Sequence, residues 1–160
     1  MVDFDERVAY INEMAEAKGY GQDYIDLLKN CADWADDGRW DEICDGLERD
    51  VDVSPYANPK FDLLQMRQIH FGMEQGIDIS KYADPKFSYK QMDEIREGLE
   101  SGLDVSKYAI PKFDYMQMFE IRLGLEAEID VLEYADPKCD WKQMEWIRER
   151  LEAEKNQGVE

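Results

Sequence analysis

The stretch Asp104-Val-Ser-Lys-Tyr-Ala-Ile-Pro-Lys-Phe-Asp-Tyr-Met-Gln-Met-Phe-Glu-Ile-Arg-Leu-Gly-Leu-Glu126 decides the fold, because most of it recurs elsewhere in the chain. Met66, Met92, Met118 and Met144 stand 26 residues apart, and so do Ile69, Ile95, Ile121 and Ile147. The same spacing recovers Tyr56, Tyr82, Tyr108 and Tyr134, then Pro59, Pro85, Pro111 and Pro137, then Lys60, Lys86, Lys112 and Lys138. Four units are clear, and a degenerate half-unit precedes them: Trp40, Ile43, Gly46, Leu47 and Glu48 fall on the positions of Met66, Ile69, Gly72, Met73 and Glu74. A fixed period of this size is the signature of a repeat architecture.

Within a unit the chemistry predicts a short helix followed by a longer one. Asp114 lies three residues before Gln117, the spacing at which an acid accepts from an early backbone N–H while the glutamine reaches back to the cap. Phe113 and Met118 hold the two positions of a hydrophobic staple, as do Phe61 with Met66 and Phe87 with Met92. Beyond the cap, Met118, Ile121, Leu125 and Ile129 line one helical face, which predicts the core side. Asp104 is placed to cap a one- or two-turn helix over 105–109 that Pro111 stops, with Tyr108 as its anchor. Gly76 and Gly102 suit left-handed helix ends, whereas Glu128 and Glu154 at the same positions predict less sharply specified ones.

Such a unit cannot bury its apolar stripe alone. The expected fold class is therefore all-α, an α-solenoid of four 26-residue short-helix/long-helix repeats stacked on their neighbours. Upstream, Phe4, Val8, Ile11 and Ala15 stripe a first helix ended by Gly19, and Tyr24, Leu27, Leu28, Cys31 and Trp34 stripe a second. The division expected is a helical N-terminal cap with the half-repeat over 1–50, the repeats over 51–154 and a fraying polar tail over 155–160.

The run from Asp104 to Glu126 resembles the 26-residue repeat arrays found in proteins of gut Gram-positive bacteria and their mobile genetic elements, and the resemblance covers about residues 50–154. It transfers no activity and no catalytic residue. It implies a setting, a bacterial or phage-related cytosol in which defence and counter-defence proteins are common.

Composition narrows the function. With 44% apolar and 36% charged residues the chain is too rich in core formers to be disordered. It has no apolar run long enough for a membrane span and no secretion-signal pattern at its start, so a cytoplasmic location and no membrane partner are expected. The formal charge of -19 opposes direct contact with nucleic acid, whose phosphates need a basic surface. The acidic bias is densest in residues 1–50, which carry 15 acids and 5 bases. Cys31, Cys44 and Cys139 lack the spacing of a zinc site or disulfide framework and are read as small core residues, and His70 as a solvent-facing or interface residue. An acidic turn at Asp33, Asp36, Asp37, Asp41 and Glu42, continued by Asp45, offers Ala35 and Cys44 where a calcium loop needs oxygen ligands, so no metal is expected there. No phosphate loop, no metalloprotease or nucleophile motif and no cofactor signature is present, so no enzyme and no cofactor is expected.

Stacking residues must recur between units, whereas a binding surface need not. Leu64 and Phe71 in the first unit and Met116 and Leu123 in the third are apolar, where the second and fourth units have Lys90, Glu97, Lys142 and Glu149. Phe119 joins Met116 and Leu123 in a second apolar stripe, which either marks an interface or is buried against a neighbouring segment. The function expected is a non-enzymatic protein–protein interaction module, binding a protein partner or a second copy through an apolar patch or groove. The alternative is an acidic nucleic-acid mimic that inhibits a nuclease or a bacterial defence complex of the anti-restriction or anti-CRISPR type. The recurrent Arg96, Arg122 and Arg148, each four residues before Glu100, Glu126 and Glu152, read as intrahelical ion pairs.

Overall fold

The structure, a computed structural model, describes residues 3–34 and 37–158. Among these residues every regular element is helical: α1 (Phe4–Lys18), α2 (Gln22–Ala32), α3 (Arg39–Glu48), α4 (Leu63–Glu74), α5 (Tyr89–Glu100), α6 (Tyr115–Glu126) and α7 (Trp141–Gln157). Short 3₁₀ turns, Ile79–Lys81, Val105–Lys107 and Val131–Glu133, precede α5, α6 and α7. Among the described residues no helix is long and apolar enough to cross a membrane. The chain packs as two compact units, Met1–Glu74 and Gln75–Glu160.

In the first unit α1 packs on α2, α2 touches α3, and α3 pairs with α4. Asp3 and Glu6 form a capping box that starts α1, and Gly19 ends it at φ 71. Polar reaches tie the helices together. Arg7 Nη1 donates to the carbonyls of Ala32 and Trp34 at 3.3 and 2.9 Å, satisfying acceptors that the end of α2 leaves open. Lys18 Nζ does the same for the Leu47 carbonyl of α3 at 2.5 Å. Ile11, Leu28, Ile43 and Leu47 are fully buried, whereas Phe4, on the expected core stripe, is half exposed.

In the second unit α5 packs on α6 and α6 on α7. Capping boxes Ser88 with Gln91, Asp114 with Gln117 and Asp140 with Gln143 start these helices, and Asp62 with Gln65 repeats the arrangement at α4. Asp78, Asp104 and Asp130 cap the 3₁₀ turns by accepting from the backbone N–H two residues on. Met66, Met92, Met118 and Met144 have no exposed surface, and each such side chain removed from water contributes ~1.5–3 kcal/mol. The caps therefore fix where each long helix begins, and the methionine row fixes which side faces inward.

Two devices bind one period to the next, and neither is visible in a single unit. The first is a glycine that receives a tyrosine. A Cβ on Gly98 would overlap the Tyr108 hydroxyl, and one on Gly124 the Tyr134 hydroxyl; Gly46 stands in the same relation to Tyr56. Hydrogen is thus the only side chain that lets the tyrosine reach the helix backbone. There Tyr108 donates to the Glu94 carbonyl at 3.0 Å and Tyr134 to the Glu120 carbonyl at 3.1 Å. The second device is the capping glutamine. Gln117 Nε2 donates to the carbonyls of Pro137 and Cys139 at 3.2 and 2.6 Å, and Gln91 to those of Pro111 and Phe113 at 3.4 and 2.5 Å.

The helix ends differ from expectation at two places. Glu128 adopts the left-handed conformation, φ 53, that glycine holds at Gly76 and Gly102, so this end is as sharply turned as the others and carries the cost of a Cβ. At the Glu154 position the helix does not end, and the segment expected to fray from Lys155 is helical as far as Gln157.

Candidate functional site

The apolar positions that vary between units do not share one environment. Leu64 and Phe71 lie two turns apart on α4 and are 41% and 45% exposed, while Met66 and Ile69 on the same helix are fully buried. On α6, by contrast, Met116, Phe119 and Leu123 are half-buried. The Arg122 guanidinium covers the Phe119 ring at 5.4 Å, which withdraws part of that stripe from solvent. Leu132 and Trp146, which alternation between units does not single out, are more exposed than any of these.

The acidic positions also divide. Asp33, Asp37 and Asp41 are exposed, and Asp36 lies outside the described residues. Asp37 is held by Arg39, whose Nε donates to Oδ2 at 2.9 Å, and this hydrogen bond is the main reason its carboxyl sits below the usual aspartate range. Asp45 is half-buried and accepts from Arg49 Nε at 3.1 Å. Glu42 is not part of an acidic surface: only 9% of it is exposed, because α4 lies over it. Its Oε2 accepts from Arg67 Nε at 3.1 Å, and its Oε1 lies 2.7 Å from Nδ1 of His70.

His70 corrects the reading of a solvent-facing residue. It is 4% exposed, stacked on Tyr56 with ring centroids 5.4 Å apart and an interplanar angle of 16°. Burial first, and then the charge of Glu42, pushes the Tyr56 hydroxyl well above its ordinary value, so it stays a protonated donor. Of the three cysteines read as core residues, Cys31 is buried, whereas Cys44 and Cys139 are half-buried. Burial pushes the Cys31 and Cys44 thiols up to about 12, which leaves almost no thiolate at neutral pH.

The arginine row does more than its sequence spacing implied. Arg122 Nη1 meets Glu126 at 2.7 Å within its own helix, and its Nε and Nη2 also meet Glu94 and Glu97 of α5 at 2.9 and 2.7 Å. Arg148 likewise joins Glu152 of its own helix and Glu120 of α6, both at 2.8 Å. Arg96 meets Asp93 and Glu100 within α5. Glu94 is pushed up by burial, and its bond to Arg122 offsets part of that push. The pairs Glu94–Arg122 and Glu120–Arg148 could have been found from sequence by reading the register across two units, since each of these acids lies 28 residues before its arginine.

Compared with protein-family models, with curated proteins and with solved structures, the chain matches none.

Proposed function

We propose that this chain is a non-enzymatic protein-interaction module of the bacterial cytoplasm, a stack of four 26-residue helical repeats behind a helical N-terminal segment. It takes up a protein partner, or a second copy of itself, through apolar side chains on α4. The observation that carries this reading is the pair Leu64 and Phe71, both above 40% exposed on a helix whose buried face is already filled by Met66 and Ile69. Exposed apolar side chains that do not serve the core are where binding energy concentrates. The recurrent polar residues are, by contrast, absorbed by caps, carbonyls and ion pairs between helices.

The second reading, an acidic mimic of nucleic acid that occupies the basic cleft of a nuclease or defence complex, draws on the net charge of -19 and on exposed Asp33 and Asp41. Against it, Asp37, Asp45 and Glu42 are each engaged by an arginine of this chain.

A tagged full chain and its Leu64→Glu, Phe71→Glu double variant, compared by pull-down from bacterial lysate at low and high salt, separate the two. An anchor side chain contributes ~2 kcal/mol, so the double change, ~4 kcal/mol, should cut affinity on the order of a thousandfold while helix content by circular dichroism is unchanged. A partner that high salt releases and the double variant retains would overturn the apolar reading in favour of mimicry.

A further inference from the structure

The first repeat departs from its sisters at one chemically pointed position. Where Arg96, Arg122 and Arg148 stand in later units, it has His70. Around Arg122 the guanidinium sits among Glu94, Glu97 and Glu126. The same three register positions in the first unit hold Glu42, Asp45 and Glu74, and all three carboxylates surround His70. Nδ1 is 2.7 Å from Glu42 Oε1 and 4.0 Å from Asp45 Oδ2, and Nε2 is 3.9 Å from Glu74 Oε1. The carboxylates that elsewhere receive a cation here receive an imidazole, which is shorter than arginine and can offer a lone pair.

Two buried polar atoms beside these carboxylates lack hydrogen-bond partners. Nε2 of His70 is buried without a hydrogen-bond partner on a side chain only 4% exposed, and it is directed at Glu74. Tyr56, whose ring stacks on that of His70, also has its hydroxyl buried without a partner, although Tyr108 and Tyr134 in the same register both donate to backbone carbonyls. The outer oxygens are already held. Arg67 Nε donates to Glu42 Oε2 and Arg49 Nε to Asp45 Oδ1, each at 3.1 Å, which leaves Oε1 and Oδ2 toward the imidazole.

We propose that Glu42, Asp45 and His70 bind one divalent transition-metal ion of the zinc class, through Nδ1 and one oxygen of each carboxylate, with Glu74 accepting the Nε2 proton. The three ligand atoms lie within 4.8 Å of one another. Zinc bonds of ~2.0–2.2 Å place tetrahedral ligand atoms roughly 3.3 Å apart, so side-chain rotations of about an ångström close the site. Water completes the fourth position, and the bound neutral imidazole offers its lone pair at Nδ1 and carries its single ring proton on Nε2. A mixed nitrogen and oxygen ligand set selects zinc-like ions over magnesium or calcium, which take oxygen alone. Arg67 and Arg49 supply outer hydrogen bonds that orient the two carboxylates, Glu74 would close on Nε2–H from 3.9 Å, and the ion would pin α3 to α4.

The test is titration of the full chain with zinc chloride by calorimetry near neutral pH, in excess magnesium, followed in parallel by ¹H–¹⁵N spectra of the imidazole. His70 is the only histidine, so its ring signals report this site alone. One equivalent should bind, moving the Nδ1 resonance. Glu42→Gln should weaken binding on the order of tenfold or more. His70→Arg, which restores the sister-repeat cluster and keeps every cysteine, should fold and lose the site. Absence of saturable binding would overturn the proposal. So would binding that leaves the His70 ring unmoved, or that His70→Arg retains.

Discussion

Replacing Gly124 by alanine should destabilise the protein although alanine is the better helix former. The methyl group would overlap the Tyr134 hydroxyl and stand 2.9 Å from Val131 Cγ1. Tyr134 is a rigid ring, 2% exposed, and its hydroxyl is committed to the Glu120 carbonyl, so it cannot swing aside within the core. Helix propensity contributes ~0.5–1 kcal/mol in favour of the variant. Against that, stranding the buried hydroxyl costs ~1–3 kcal/mol and crowding Val131 and the ring another ~1–3 kcal/mol. The balance is a loss centred on about 3 kcal/mol, or a fall in melting temperature on the order of 10 °C for a chain of this size. Urea denaturation followed by circular dichroism measures it. Tyr134→Phe alone should cost about 1 kcal/mol. In combination the two changes should cost less than their sum, by ~1 kcal/mol or more, because phenylalanine lacks the atom the methyl meets first. A Gly124→Ala variant as stable as the parent, or two effects that simply add, would refute the packing argument.

At Glu128, φ 53, glycine should stabilise the chain by about 1 kcal/mol, seen as a higher urea midpoint, since the weak exposed contact of its carboxylate with Lys155 is all that is lost; a lower midpoint would contradict the assigned backbone strain. Acid should weaken the fold through Asp78 and Asp104, whose carboxyls lie below the aspartate range chiefly because Ser80 and Ser106 hydroxyls donate to them at 2.6 Å. Depressed in the folded state, they stabilise it fully above the unfolded value and lose that contribution as pH falls below ~4 toward the folded one. Thermal melts between mildly and strongly acidic pH should show a shallower acid decline for Asp78→Asn plus Asp104→Asn, and an identical decline would reject this account.

What the sequence made legible is what acts over a few residues. The Asp114 and Gln117 cap, the Met118 and Ile121 stripe and the Asp104 cap are each written within one or two helical turns, where backbone geometry leaves little choice. The environments of His70 and Glu42 were misjudged because their burial comes from a helix pairing 28 residues distant. A signal existed, since His70 occupies the arginine register and Glu42 that of Glu94 and Glu120. The apolar row Met116, Phe119 and Leu123 was readable as a row, with exposure and burial both left open, and the structure half-buries it. Its shielding by Arg122 depends on where a long flexible side chain settles once three carboxylates have claimed its nitrogens.

The tyrosine that fits over a glycine has a consequence for how this chain can change in length. Excision of residues 104–129 would set Asp130 directly after Leu103. Tyr134 would then arrive over Gly98, the Pro137 and Cys139 carbonyls would arrive at Gln91, and Arg148 at Glu94, each meeting a surface already cut to receive it. A deletion that is not a whole number of periods throws all of these contacts out of step together. Length is therefore quantised in this chain, and a change that preserves these contacts lengthens or shortens it only in whole steps of 26 residues.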